Sequence, residues 1–231
     1  PPSVPGSEAS RAVAGTVYEA LRVMNSTALA AEPELGRMDA IAGDGDHGQG
    51  MSLGSTGAVN AARAAWEAGA GARTLLIRAG EQWAESAGGT SGALWGAGLT
   101  GFAGAALSDT DAATGADIVA GVTALADTVV ALGGAQPGDK TMVDALVPFA
   151  DTLRAAVERG ASLADGWAEA ARAATAAAAA TADLVARRGR SRVLGEKSLG
   201  TPDPGATSFA LLMTAVGESA WLECRDGVDG R

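Results

Sequence analysis

The sequence predicts an all-α protein: a single domain built as a helical bundle or an eight-helix antiparallel barrel. Three observations lead there. Apolar residues recur every three or four positions in eight separate stretches. Val and Ile are sparse while Ala is abundant, which favours helix over sheet. Hardly any stretch alternates apolar and polar residues as a half-buried strand does. With 231 residues the chain is long enough for an ample core.

Taken in order, residues 8–31 place Val13, Val17, Leu21, Met24 and Ala28 on one helical face, and residues 32–50, rich in Gly, Asp and Pro, read as a loop. Helices follow over about 51–69 and 72–87. The segment Ser86–Ser108 carries no charge and is long enough to cross a bilayer. Its many Gly, Ala and Ser residues, with Trp95, Leu99 and Phe102 on one face, read instead as a buried helix over 89–107. Residues 114–132 repeat the pattern with Ile118, Val122, Leu125 and Val129, and GGAQPGDKT (133–141) is a loop. Helices are expected over 142–159, kinked at Pro148, and over 162–187, where ATAAAAATA marks close packing through small side chains. A loop over 189–205 and a last helix over 206–222 complete the set. The domain is thus expected over 10–222, after a linker-like or disordered start at 1–9 and before a tail at 223–231.

The net charge of −10 argues against a nucleic-acid partner. The start, PPSVPGSEAS, has neither the basic nor the apolar region of a signal peptide and reads as a trimmed start or a linker remnant. A single cysteine, Cys224, excludes an internal disulfide and fits a reducing, cytoplasmic setting with no membrane span.

The polar, glycine-rich loops at 39–51, 88–92, 133–141 and 189–205 gather at one end of an up-down bundle, so that end is the candidate site. In AIAGDGDHGQGM, Gly43–Gly48 fits G-x-G-x-x-G, but no strand precedes it and Asp44 and Asp46 would repel a diphosphate. An EF-hand fails too, since position twelve is Ser55 counted from Asp44, or Gly50 counted from Asp39. GAQPGDKT has one residue too many for a Walker A loop, because Asp139 separates Gly138 from Lys140. Asp39, Asp44 and Asp46 crowded into one loop repel one another unless a cation lies among them, and hard oxygen ligands suit Mg²⁺, which takes phosphate oxygens as further ligands. The aspartates would then hold the ions that hold the phosphates. Gly48 and Gly50 would leave backbone N–H groups open at a helix start, His47 could bond a phosphate oxygen or move a proton, and Thr90 and Ser91 offer hydroxyls in GGTSG. Arg190 could pair with phosphate. A solvated Asp-Gly turn, an ordinary helix cap and a surface arginine are the bland counterparts.

MDAIAGDGDHGQGM, GGTSGALWG, GGAQPGDKTMVDAL and GRSRVLGEKSLGTPDPGATS stand in the order of the nucleotide-binding, DhaL-type domain of dihydroxyacetone kinases, which the chain resembles from about residue 10 to 217. The resemblance implies an eight-helix antiparallel barrel with ADP or ATP at one end. Two Mg²⁺ would be held by Asp39, Asp44 and Asp46. His47, Gly48, Gln49 and Gly50 would line the phosphates, with Thr90 and Ser91 opposite. Gly133 and Met142 match positions near adenine and ribose, and Arg190 with Pro202-Asp203-Pro204 a loop that closes over the nucleotide. Gln49 departs from the Asn of the separate subunits.

The implied activity is phosphoryl transfer to dihydroxyacetone, or a related short ketose, held by a DhaK-type ketose-binding subunit or domain. His47 is the chain's one histidine, so none remains to hold a ketose covalently, and the chain alone should be inactive. Some such domains are fused to the ketose-binding domain and use ATP. Others are separate subunits recharged by a phosphoprotein of the phosphotransferase system, and a homodimer is compatible with either. Competing readings are a nucleotide-binding regulatory module, the nucleotide domain of a fatty-acid-kinase-like enzyme, and an Mg-dependent phosphohydrolase with an aspartate nucleophile.

Overall fold

The structure, a computed structural model, describes residues 5–188 and 196–219. Among them are eight α-helices: α1 (Glu8–Asp39), α2 (His47–Glu67), α3 (Ala72–Ala87), α4 (Gly89–Ala106), α5 (Gly115–Gly133), α6 (Val143–Glu158), α7 (Leu163–Ala180) and α8 (Pro204–Glu218). Each packs on the next in sequence, and α8 packs back on α1, so the ring closes. No strand occurs among the described residues.

An aromatic chain crosses the core. Trp83 of α3 stacks on Trp95 of α4 with centroids 5.0 Å apart, Trp95 leans on Phe209 of α8, and Phe149 of α6 meets Phe209 and Trp167 of α7 edge-on. Such pairs add about 0.5–1.5 kcal/mol each beyond their buried area. Small residues do the rest. Gly80 and Gly96 face one another so closely that a Cβ on either would meet the other's carbonyl oxygen within 2.8 Å. That backbone-to-backbone approach explains the charge-free, glycine-rich α4, whose Trp95 and Leu99 are buried. The helix long and apolar enough to cross a membrane, among the described residues, is α5; it turns Ile118, Val122, Leu125 and Val129 into the core.

Four boundaries differ clearly from expectation. α1 runs eight residues past Ala31, through Pro33, to Asp39. Pro33 is exposed, so the bond it denies to the carbonyl of Leu29 is lost on the wet side, while Leu35 continues the buried face. α2 begins at His47 rather than residue 51, because Gly48 lets its first turn lie on α1; a Cβ there would collide with the carbonyl oxygen of Glu32. α7 ends at Ala180 rather than 187. A 3₁₀ turn (Thr181–Asp183) follows and Leu184 is extended, with Thr181 Oγ1 donating to the Ala178 carbonyl. α8 starts at Pro204, two residues early, and Pro148 lies within an uninterrupted α6. In the described part of stretch 1–9, Gly6 and Ser7 donate to the Gly69 and Asp109 carbonyls, and α1 starts at Glu8. Residues 220–231, with the expected tail, lie outside the described residues.

Candidate functional site

Alternating helix directions bring the C-termini of α1, α3, α5 and α7 and the N-termini of α2, α4, α6 and α8 to one end. The loop 40–46 between α1 and α2 holds the aspartates. Asp39 is the last residue of α1 and Asp46 is the N-cap position of α2. Gly45 is left-handed, with φ +80, and reverses the chain between them. Gly43 lies against the Asp39 carboxylate, where a Cβ would collide with Oδ1. The result is convergence: one carboxylate oxygen from each of Asp39, Asp44 and Asp46 lies within 4.8 Å of the others. Asp39 Oδ2 also accepts the His47 N–H at 3.2 Å. Three hard oxygen donors at this spacing fit Mg²⁺ and would repel one another without a cation.

Beside the triad lies a cavity of about 140 Å³, lined among others by Asp46, His47, Gln49, Gly50, Trp83, Thr90 and Ser91. Two helices begin on it. α2 and α4 both start without a side-chain cap, and the turn into α4 is made by Gly88 and Gly89, with φ +62 and +60. A helix's first N–H groups have no partner within the helix, and two such ends beside one cavity favour an anion there. The cavity wall also holds an anomaly: the Trp83 indole N–H is buried and has no hydrogen-bond partner.

His47 lies between two helix starts. Its Nε2 lies 2.9 Å from Ser208 Oγ, and the ring also bonds the backbone of Pro204, whose only polar group there is its carbonyl. The ring therefore braces the start of α2 against the start of α8, and the residue also lines the cavity. Burial lowers its pKa, against the opposing effects of the Asp39 charge and the Pro204 bond. Gly48 packs on α1 and does not line the cavity.

Pro202, Asp203 and Pro204 lie in a second, smaller recess with Asp39, Lys140 and Ser198. Asp203 caps α8, accepting the Ala206 N–H at 2.7 Å, and Pro204 is the first helical residue. Burial pushes the Asp203 carboxyl up to about 7; the Asp144 charge adds to the rise, and the bonds from Ala206 and Gly205 and the Lys140 charge oppose it. Gly133 ends α5 near Leu94, and Met142 precedes α6 near Gly205; both are at this end, and neither lines the two recesses. Arg190 lies outside the described residues. Sequence reasoning missed Ser208, one turn into α8 with no motif to mark it, and Lys140, which only its place in an odd glycine-rich loop could have flagged.

Residues 41–218 match the family described as the DAK2 domain. The chain belongs to that family. It is the DhaL-type nucleotide-binding domain of the dihydroxyacetone kinase family, as the four motifs implied. It is 58% identical over 212 residues to L-erythrulose 1-kinase of Mycolicibacterium smegmatis, covering 92% of this chain and 37% of that protein. It is 36% identical to the ADP-binding subunit DhaL of the PEP-dependent dihydroxyacetone kinase of Escherichia coli, over 76% of this chain and 82% of that subunit. Its fold resembles the dihydroxyacetone kinase of C. freundii in complex with AMP-PNP and Mg²⁺, with a TM-score of 0.64 and 25% identity over 94% of this chain and 35% of that one. The chain thus spans little more than a third of the length of its erythrulose kinase relatives.

Proposed function

We propose that this DAK2 domain binds ADP or ATP through two Mg²⁺ and passes a phosphoryl group to a short ketose held by a separate ketose-binding domain or subunit. The observation that carries the reading is the convergence of Asp39, Asp44 and Asp46 beside a cavity onto which two uncapped helix N-termini open. The aspartates would hold the ions, which neutralise phosphate charge when bound. The open N–H groups of the first turns of α2 and α4, with Gln49, Gly50, Thr90 and Ser91, would orient the phosphates. His47 would keep the α2 start and the α8 start in register. On this reading, catalysis by this domain is positioning and charge neutralisation for an in-line transfer.

The ketose we propose is four-carbon erythrulose rather than dihydroxyacetone. Relatives 58% and 49% identical are named erythrulose kinases, whereas the 36% identical subunit is named for dihydroxyacetone. The likeness to a dihydroxyacetone kinase in complex with AMP-PNP and Mg²⁺ supports ATP as the phosphoryl source. The test mixes the chain with a ketose-binding kinase subunit, Mg-ATP and either erythrulose or dihydroxyacetone. Turnover is expected only in the mixture and faster with erythrulose. Turnover by the chain alone, or a preference for dihydroxyacetone, would refute the corresponding half of the reading.

A further inference from the structure

We infer that Lys140 is a positioning residue for the nucleotide site: its buried ammonium clamps the chain on both sides of residues 189–195 and so seats the start of α8 against His47. Lys140 is 4% exposed and, at φ +62, is the one non-glycine residue in the left-handed region among the described residues. That backbone is unfavourable for a residue with a Cβ, so the surrounding structure must hold it there. The ammonium donates to the Leu184 carbonyl at 3.0 Å and to the Ser198 carbonyl at 2.5 Å.

The first carbonyl precedes residues 189–195 and the second follows them. Further bonds join the same two segments, Ala186 N–H donating to Ser198 Oγ and Gly200 N–H to the Ala182 carbonyl, and Arg187 N–H donates to the carbonyl of Asp139 beside the lysine. Burial pulls the ammonium's pKa down while the Asp203 and Asp183 charges hold it up, so its cost is borne where the acidic groups face it.

The clamp leads to the site in a few steps. Ser198 is five residues before Asp203, whose N–H donates to Thr181 Oγ1 at 2.7 Å and whose carboxyl caps α8. Pro204 then meets the His47 ring. The loop that resembles a Walker A motif thus uses its lysine in another way. Two of the three ammonium donors are spent on protein carbonyls, and the effect on nucleotide comes through α8 and His47, not through contact.

This role rests on the nucleotide reading above. The test compares wild type, Lys140→Met, Lys140→Arg and Ser198→Ala by calorimetry with Mg-ADP, by Mn²⁺ titration without nucleotide, by urea unfolding, and by amide exchange. Lys140→Met should weaken Mg-ADP binding about tenfold, the worth of a charged hydrogen bond or so, and Ser198→Ala about threefold. Exchange should quicken at Ala186, Arg187 and Gly200, Mn²⁺ affinity should stay as in wild type, and Lys140→Arg should recover part of the loss. If Lys140→Met is too unstable to assay, Lys140→Gln takes its place in the comparison, because Ser198→Ala removes only the Oγ that accepts the Ala186 N–H and leaves the carbonyl that Lys140 bonds. Wild-type Mg-ADP affinity in both Lys140→Met and Ser198→Ala, whatever their stability, would reduce Lys140 to an anchor of the fold. A wild type that binds Mn²⁺ but no Mg-ADP would overturn the nucleotide reading itself, and this role with it.

Discussion

The two ends of the barrel solve the same problem in opposite ways. At the closed end every helix start is satisfied by a side chain. Ser7 caps α1, Ser162 caps α7, and Thr114 with Asp117 forms a reciprocal capping box on α5. The α3 start is served from other segments, by Ser10 Oγ and the Asp109 carboxylate. At the site end Thr141 and Asp203 serve α6 and α8, whereas the cap positions of α2 and α4 give no side-chain bond, and α2 has only its first N–H taken, by the Asp39 carboxylate. The tryptophans divide likewise: the Trp167 N–H, towards the closed end, donates to the Met213 carbonyl at 2.8 Å, and the Trp83 N–H beside the cavity has no partner. The same kinds of group are capped at one end and, at the starts of α2 and α4, lack a side chain from the cap position at the other.

The largest expected effect is on the open end. Chelating Mg²⁺ should lower ADP affinity on the order of a hundredfold, since three carboxylates then face the phosphates directly. Calorimetry with and without chelator checks this, and equal affinity would remove the metal bridge.

Next in size is the pH dependence of Asp203. A carboxyl whose folded pKa is raised from 3.8 to about 7 contributes stability that is fully present below the unfolded value and is lost as pH rises through about 7. Wild type should therefore lose about 2 kcal/mol relative to Asp203→Asn, which keeps a capping side chain, on going from about pH 5 to about pH 8. His47, its pKa lowered, acts with the opposite sign: its contribution is lost as pH falls below 6.5. Being common to both proteins, it cancels in the difference. Parallel urea midpoints for the two proteins across that range would contradict a raised Asp203.

Smaller effects separate the tryptophans and the caps. Trp167→Phe should cost about 1.5 kcal/mol more than Trp83→Phe, because the first loses a hydrogen bond and the second removes an orphaned donor. Equal losses on urea unfolding would mean that the Trp83 N–H carries no penalty. Thr114→Ala should cost about 1 kcal/mol of stability and leave Mg-ADP affinity untouched. A change in affinity would show that the two ends are coupled.

Much of this was legible in the sequence. The eight apolar periodicities became eight helices, and the Asp39, Asp44 and Asp46 spacing became a converging triad. Gln49, Gly50, Thr90 and Ser91 line one cavity with Asp46. Less legible was where helices stop. The Pro33 and poly-Ala segments carry no local signal that outweighs packing: Leu35 holds α1 helical past a proline, and Thr181 ends α7 where alanines favour continuing.

By itself, then, the sequence determined the elements and the chemistry of their loops, because periodicity, glycine and crowded carboxylates act over a few residues. Only the tertiary structure decided which groups meet. His47 bonds Ser208, which is 161 residues away, and Lys140 bonds carbonyls 44 and 58 residues away. Ser208 and the two carbonyls belong to types found in every chain and have no spacing of their own. Their roles exist only because closing the barrel of α1 to α8 places them against buried polar side chains that must find partners.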